Sequence, residues 1–181
     1  MKVIGFIGPS GSGKTTLIER LIELLTQRGL TVSALKHAHH GFDLDRPGKD
    51  SFRLRAAGAA QVLVAAPQRW ALMTELRGEP PQLEQLLAQL APCDLVLVEG
   101  FRSEGSIARI EVRGRQVGAD EASFAKATEA ASASAAAAAE AEAEAIAIVC
   151  DDPIDSALPR FARDDVAAIA AFIVRQLGID R

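Results

Sequence analysis

A chain that leaves an apolar strand through a glycine-rich loop and resumes as a helix has few folds open to it. Residues 2–7, KVIGFI, are a continuous apolar run suited to a strand buried on both faces, and residues 8–16 follow as GPSGSGKTT. Leu17, Leu21, Leu24 and Leu25 then mark one face of a helix that runs up to Gly29. Three glycines within residues 8–13 begin a helix poorly unless the backbone must go where side chains cannot. Gly8, Gly13, Lys14 and Thr15 satisfy G-x-x-x-x-G-K-[ST] between a predicted strand and a predicted helix, the setting that this phosphate-binding pattern requires.

In such a loop consecutive backbone N–H groups turn inward on phosphate oxygens, and the following helix adds its positive end. The predicted cradle comprises Gly8, Ser10, Gly11, Ser12, Gly13, Lys14, Thr15 and Thr16. Lys14 reaches the terminal phosphates as the catalytic cation, and Thr15 offers its hydroxyl to Mg2+. A nucleoside triphosphate is the natural occupant. The bland alternative, a glycine-rich turn that happens to precede a lysine, does not explain the strand and helix on either side.

The remaining pattern repeats strands and helices. TVSALKH reads as a second strand, DSFRLRAAG as a short helical stretch, AQVLVAA as a further apolar run, and WALMTEL as a strand behind the turn PQR. PPQLEQLLAQLA has proline at a helix start, CDLVLVEG is another buried strand, AIAIVCDDP ends a strand, and DDVAAIAAFIVRQLG is a closing helix with aspartates in its first turn. SIARIEVRGR alternates Ala108, Ile110 and Val112 with Arg109, Glu111 and Arg113, which predicts one wet face and an antiparallel or edge position. The expected fold is α/β and P-loop NTPase-like: a mostly parallel sheet flanked by helices, with some antiparallel edge strands, in a single domain spanning residues 1–181. Residues 119–145 depart from this pattern. They are rich in alanine and glutamate and have little to bury after Phe124, so they read as an insert, either an exposed helix or a disordered spacer, with a partner-binding segment as the functional alternative.

Composition narrows the partners. A formal charge of −4 does not suit a surface for nucleic acid or anionic lipid, so phosphate must be met by a local site. Cys93 and Cys150 are too few for a disulfide framework or zinc knuckle and read as small buried hydrophobes. No leader or membrane-spanning run is evident, and the expected location is the cytoplasm.

Magnesium needs a carboxylate from another strand end. Glu99 stands at the carboxyl end of CDLVLVEG, where open parallel sheets bind ligands, and is expected to act in catalysis and in holding the metal, with turn capping before Gly100 as the alternative. Asp94, at the other end of that strand, is a poor candidate. Asp43 and Asp45, after the second strand, are either further metal ligands or ordinary turn aspartates. His37, His39 and His40 invite a transition-metal reading, but no second Cys or His cluster joins them to close a tetrahedral site. Anion contact shared with Lys36, Arg46, Lys49 and Arg53 is the better reading, and Lys36 and His37 join the predicted ligand-binding set.

In this order and spacing GPSGSGKTT with LIERLI, the block LKHAHHGFDLDRPGKDSFRLRAAGA, and DLVLVEGF resemble the MobB family of molybdopterin-guanine dinucleotide biosynthesis adapter proteins. The loop alone is common to many families; the histidine-to-GKDS block with AAGA is the specific part. The resemblance covers residues 1 to about 113 and resumes at IVCDDP and the closing helix, and the alanine-rich tract departs from it. It implies a GTP-binding homodimer that assists the molybdopterin guanylyltransferase and hydrolyses GTP weakly. No N-K-x-D sequence is present to read guanine, so a carboxylate of Asp151 or Asp152 is a candidate for the base, with capping or a turn before Pro153 as the equal alternative. A small-molecule kinase and a metal-delivery GTPase using His37, His39 and His40 are the rival functions.

Overall fold

The structure, a computed structural model, describes residues 1–38, 45–102, 107–114 and 145–179. His39, His40, Asp43 and residues 119–144 of the alanine-rich tract lie outside the described residues. In chain order the elements are β1 (Lys2–Ile7), α1 (Lys14–Gln27), β2 (Val32–Lys36), α2 (Asp50–Ala56), β3 (Gln61–Ala66), β4 (Arg69–Thr74), α3 (Leu83–Leu87), β5 (Leu95–Glu99), β6 (Arg109–Val112), β7 (Ala145–Val149), β8 (Arg160–Phe161) and α4 (Val166–Leu177). They form two compact units, Met1–His37 with Leu90–Arg181, and Ala38–Gln89.

The first unit holds a six-stranded sheet in the order β2-β5-β1-β6-β7-β8. Every neighbouring pair in it is parallel. Both α1 and α4 feed one core with the same sheet face: Leu17, Leu21 and Leu25 of α1 and Ile169 and Ile173 of α4 meet Ile4, Phe6, Leu95, Leu97, Ile110 and Val112. Fully burying such side chains contributes about 1.5–3 kcal/mol each before chain entropy is subtracted. The aspartates expected in the first turn of the last helix stand ahead of it instead: Asp165 is its cap, accepting from Ala168 N at 3.1 Å, and Asp164 pairs with Arg20. Register sets the functional edge. Phe6 stands beside Glu99 across β1–β5, and Lys36 beside Glu99 across β2–β5, so three strands deliver their carboxyl ends to the loop that follows β1.

The parallel sheet and its helices agree with the expected fold class, but two strand assignments need correction. β6 is neither antiparallel nor at an edge: it runs parallel between β1 and β7, and Arg109 and Glu111 are each only 2% exposed. Alternating charge suggested a wet face. These groups are instead hydrogen-bonded inside, Arg109 donating to the carbonyls of Phe101 and Ile107, and Arg113 Nη2 pairing with Glu111 Oε2 at 2.9 Å. Gly5 makes room on the neighbouring strand, since a Cβ there would stand 3.1 Å from Arg109 Cγ.

The antiparallel strands are not edges of the main sheet. In the second unit β3 and β4 form their own two-stranded sheet, pairing Ala65 with Trp70 and Val62 with Met73. Only Val62 of β3 is buried, while Trp70 is 67% exposed, so Trp70 does not fill a core within the chain. Cys150 is buried, which raises its thiol pKa and keeps it protonated, whereas Cys93 is half-buried. Among the described residues no helix is long and apolar enough to cross a membrane.

Candidate phosphate-binding site

The loop after β1 has the backbone that the sequence demanded. Gly8 adopts φ 142° and Gly13 φ 88°, and neither position has space for a side chain. A Cβ on Gly8 would lie 2.1 Å from Val112 O of β6, and one on Gly13 would lie 2.3 Å from Arg163 Nη1. α1 begins directly behind Gly13 with no side-chain cap and no acidic residue in its first turn. Its first N–H groups and positive dipole end are left for an anion.

Lys14 Nζ curls back over this loop and donates to Gly8 O at 3.0 Å, Pro9 O at 2.7 Å and Ser12 Oγ at 3.4 Å. Burial lowers its pKa, Lys36 and Arg102 push the same way, and Glu99 opposes them. The sign predicts a pH effect on anion binding. Once pH passes the lowered value, binding a phosphate must also return a proton to Lys14, so triphosphate affinity should begin to fall below the ordinary lysine value of 10.5. Calorimetry from neutral pH upward, in buffers of different ionisation heat, should show falling affinity with proton uptake; a flat profile would contradict it.

Beside Lys14 two of the predicted metal ligands, Thr15 and Glu99, meet. Thr15 Oγ1 donates to Glu99 Oε2 at 2.8 Å, Lys36 Nζ donates to Thr15 Oγ1 at 3.3 Å, and Lys36 pairs with Glu99 Oε1 at 3.2 Å. Glu99 is 15% exposed here. Thr15 and Glu99 thus already share one cation, and hard oxygens of this kind suit Mg2+. Lys36 and a metal ion would compete for this carboxylate. His37 N donates to Glu99 O at 2.8 Å, and its ring packs on Phe101 with centroids 4.6 Å apart. Gly100, at φ 93°, permits this approach, since a Cβ there would lie 2.9 Å from His37 Cβ.

The other flank of the loop is held by a residue from the segment between β8 and α4. Arg163 Nη1 donates to Ser12 O and Nη2 to Arg113 O, while its Nε and backbone N bind the two oxygens of Asp151.

The family model described as MobB, molybdopterin guanine dinucleotide synthesis protein B, matches residues 3–151. The chain belongs to the MobB family. It is 50% identical over 111 residues to the molybdopterin-guanine dinucleotide biosynthesis adapter protein of Escherichia coli (strain K12), a match covering 60% of this chain and 63% of that protein. It is 49% identical over 104 residues to the protein of that name from Haemophilus influenzae (strain ATCC 51907 / DSM 11121 / KW20 / Rd), covering 56% of this chain and 58% of that one. The matched part thus spans less than two thirds of either relative. A crystal structure of molybdopterin-guanine biosynthesis protein B superposes with a TM-score of 0.70 at 29% identity, covering 97% of this chain and 99% of that one.

In this MobB family member the loop residues Gly8, Ser10, Gly11, Ser12, Gly13, Lys14, Thr15 and Thr16 adjoin the carboxyl ends that bring Lys36, His37 and Glu99. Asp45 has other work. It belongs to the second unit, where its carboxylate is 6% exposed and pairs with Arg55 at 2.8 Å, while Arg55 also reaches Glu75 at 3.3 Å. Asp94 accepts from Thr31 N and Thr31 Oγ1, both at 2.7 Å, and closes the amino end of β5. Asp151 lies at the carboxyl end of β7 with both oxygens engaged by Arg163. Arg163 itself had no signal in the sequence: RFARDD carries no motif, and the arginine reaches the loop only through the order of β6, β7 and β8 in the sheet. Among the described residues no group of three or more His, Cys, Asp or Glu could hold a metal ion.

Proposed function

We propose that this chain is a Mg–GTP-binding adapter in molybdopterin guanine dinucleotide biosynthesis, assisting the guanylyltransferase of that pathway. The observation that carries the reading is the meeting of the glycine loop and Lys14 with Thr15 and Glu99 at one sheet edge. Lys14 and the loop amides neutralise charge on the β and γ phosphates, Thr15 and Glu99 hold Mg2+, and water accepts the phosphoryl group slowly. The pathway and partner come from the family and from the names of its relatives. Both units serve one nucleotide-binding domain in this reading, which works in the cytoplasm without nucleic acid or membrane.

Self-association belongs to the same proposal. Leu63, Val64, Trp70 and Leu72 are exposed on the β3–β4 pair, and a second copy is the simplest cover for such a surface. The deciding experiment is binding of GTP and ATP side by side, with and without Mg2+. Mg2+-dependent preference for GTP is expected. Equal affinity would remove guanine specificity, and fast transfer to a pterin without a partner protein would make the chain a kinase. Stoichiometric nickel or zinc binding, lost on changing His37, His39 and His40, would make it a metal-delivery GTPase.

A further inference from the structure

We infer that Arg163, oriented by Asp151, sets the Ser12–Gly13 peptide of the phosphate loop and is a positioning residue for nucleotide binding. The inference rests on the loop being the triphosphate site. Arg163 is held at several points: Nη2 donates to Arg113 O at 2.6 Å, Nε to Asp151 Oδ2 at 3.3 Å, and the backbone N to Asp151 Oδ1 at 3.0 Å. Because the carboxylate grips the backbone and the side chain of one residue together, the guanidinium has little freedom left, and its remaining nitrogen, Nη1, meets Ser12 O. Gly13 supplies the space, for a Cβ there would collide with that same nitrogen.

A trans peptide is planar, with its C=O and N–H pointing opposite ways. Drawing the Ser12 carbonyl toward Arg163 therefore turns the Gly13 N–H away from Arg163. The peptide also ends on a glycine at φ 88°, and a glycine resists a peptide flip less than any other residue. Something outside the loop has to hold the form that donates to an anion, and Arg163 does so while polarising the peptide whose N–H is to donate. Asp151 thereby receives a role at the nucleotide site that needs no contact with a base: it orients Arg163.

The test combines amide hydrogen exchange of the free protein with Mg–GTP and Mg–ATP affinity. Arg163→Ala should raise exchange of the loop amides without nucleotide and lower both affinities roughly tenfold or more. Asp151→Ala should lower both alike, and the double variant should lose no more than the worse single one, since the two act as one unit. Arg163→Lys should resemble Arg163→Ala, because a single ammonium cannot hold Ser12 O, Arg113 O and Asp151 together; it also serves if the alanine variant does not fold. Unchanged loop exchange, wild-type affinity in Arg163→Lys, or an Asp151→Ala variant that loses GTP but not ATP would overturn the inference. If the wild-type protein binds neither nucleotide but loop exchange still rises in Arg163→Ala, the brace stands and the function falls.

Discussion

Replacing Lys14 with alanine should lower triphosphate affinity ten- to hundredfold and leave the protein folded. The ammonium reaches back over the whole loop, from Gly8 O to Ser12 Oγ, and a phosphate would take over those contacts. A charge-assisted hydrogen bond of this type contributes about 1.5–3 kcal/mol, which sets the range. Stability should change little. The lysine is partly desolvated where it stands, its partners are two carbonyls and a hydroxyl of its own loop, and alanine is the better helix former at the first position of α1. Calorimetric titration with Mg–GTP beside a thermal melt separates the two effects. Unchanged binding in a folded Lys14→Ala variant would end the case for this loop as the nucleotide site.

Replacing Gly8 with alanine should be worse, because it should damage both fold and site. Its φ of 142° is one that other residues rarely adopt, at about 1–3 kcal/mol. The added methyl would also lie 2.1 Å from Val112 O, a backbone atom of an interior strand that cannot turn aside as a side chain would. Relieving that overlap means moving β6 away from β1 at the Ile7–Glu111 pairing, for about another 1–3 kcal/mol. We expect a loss of about 2–6 kcal/mol in denaturant unfolding, with loss of nucleotide binding in whatever remains folded. Gly29→Ala is the control. Gly29 has φ 85° but nothing within 4 Å of a Cβ, so it should show only the conformational penalty, about 1 kcal/mol. Equal losses at the two positions would mean that the contact with Val112 O is not what makes Gly8 necessary.

The sequence carried most of the first unit because its signals are local. An apolar run, a glycine loop and leucines at helical spacing predict β1, the loop and α1, and the structure has all three. Glu99 was legible for a related reason: in a parallel sheet the strand's direction alone tells which end faces the ligand edge, so Glu99 could be told from Asp94 before their partners were known. Charge alternation misled at SIARIEVRGR, because period two reports which residues share a face and says nothing of what covers it. Arg109 and Glu111 share a face, and it is not wet.

The amino acids in order thus determined that this chain builds a glycine-rich loop between a strand and a helix, and strand direction put Glu99 at the same sheet edge as that loop, where Thr15 meets it. Tertiary structure alone decided that Lys36 shares Thr15 and Glu99, that Asp45 turns to Arg55, and that Arg163 reaches Ser12 from 151 residues away. Such partners depend on which strands lie side by side and in what register, and pairing across a sheet leaves no mark at any fixed distance along the chain.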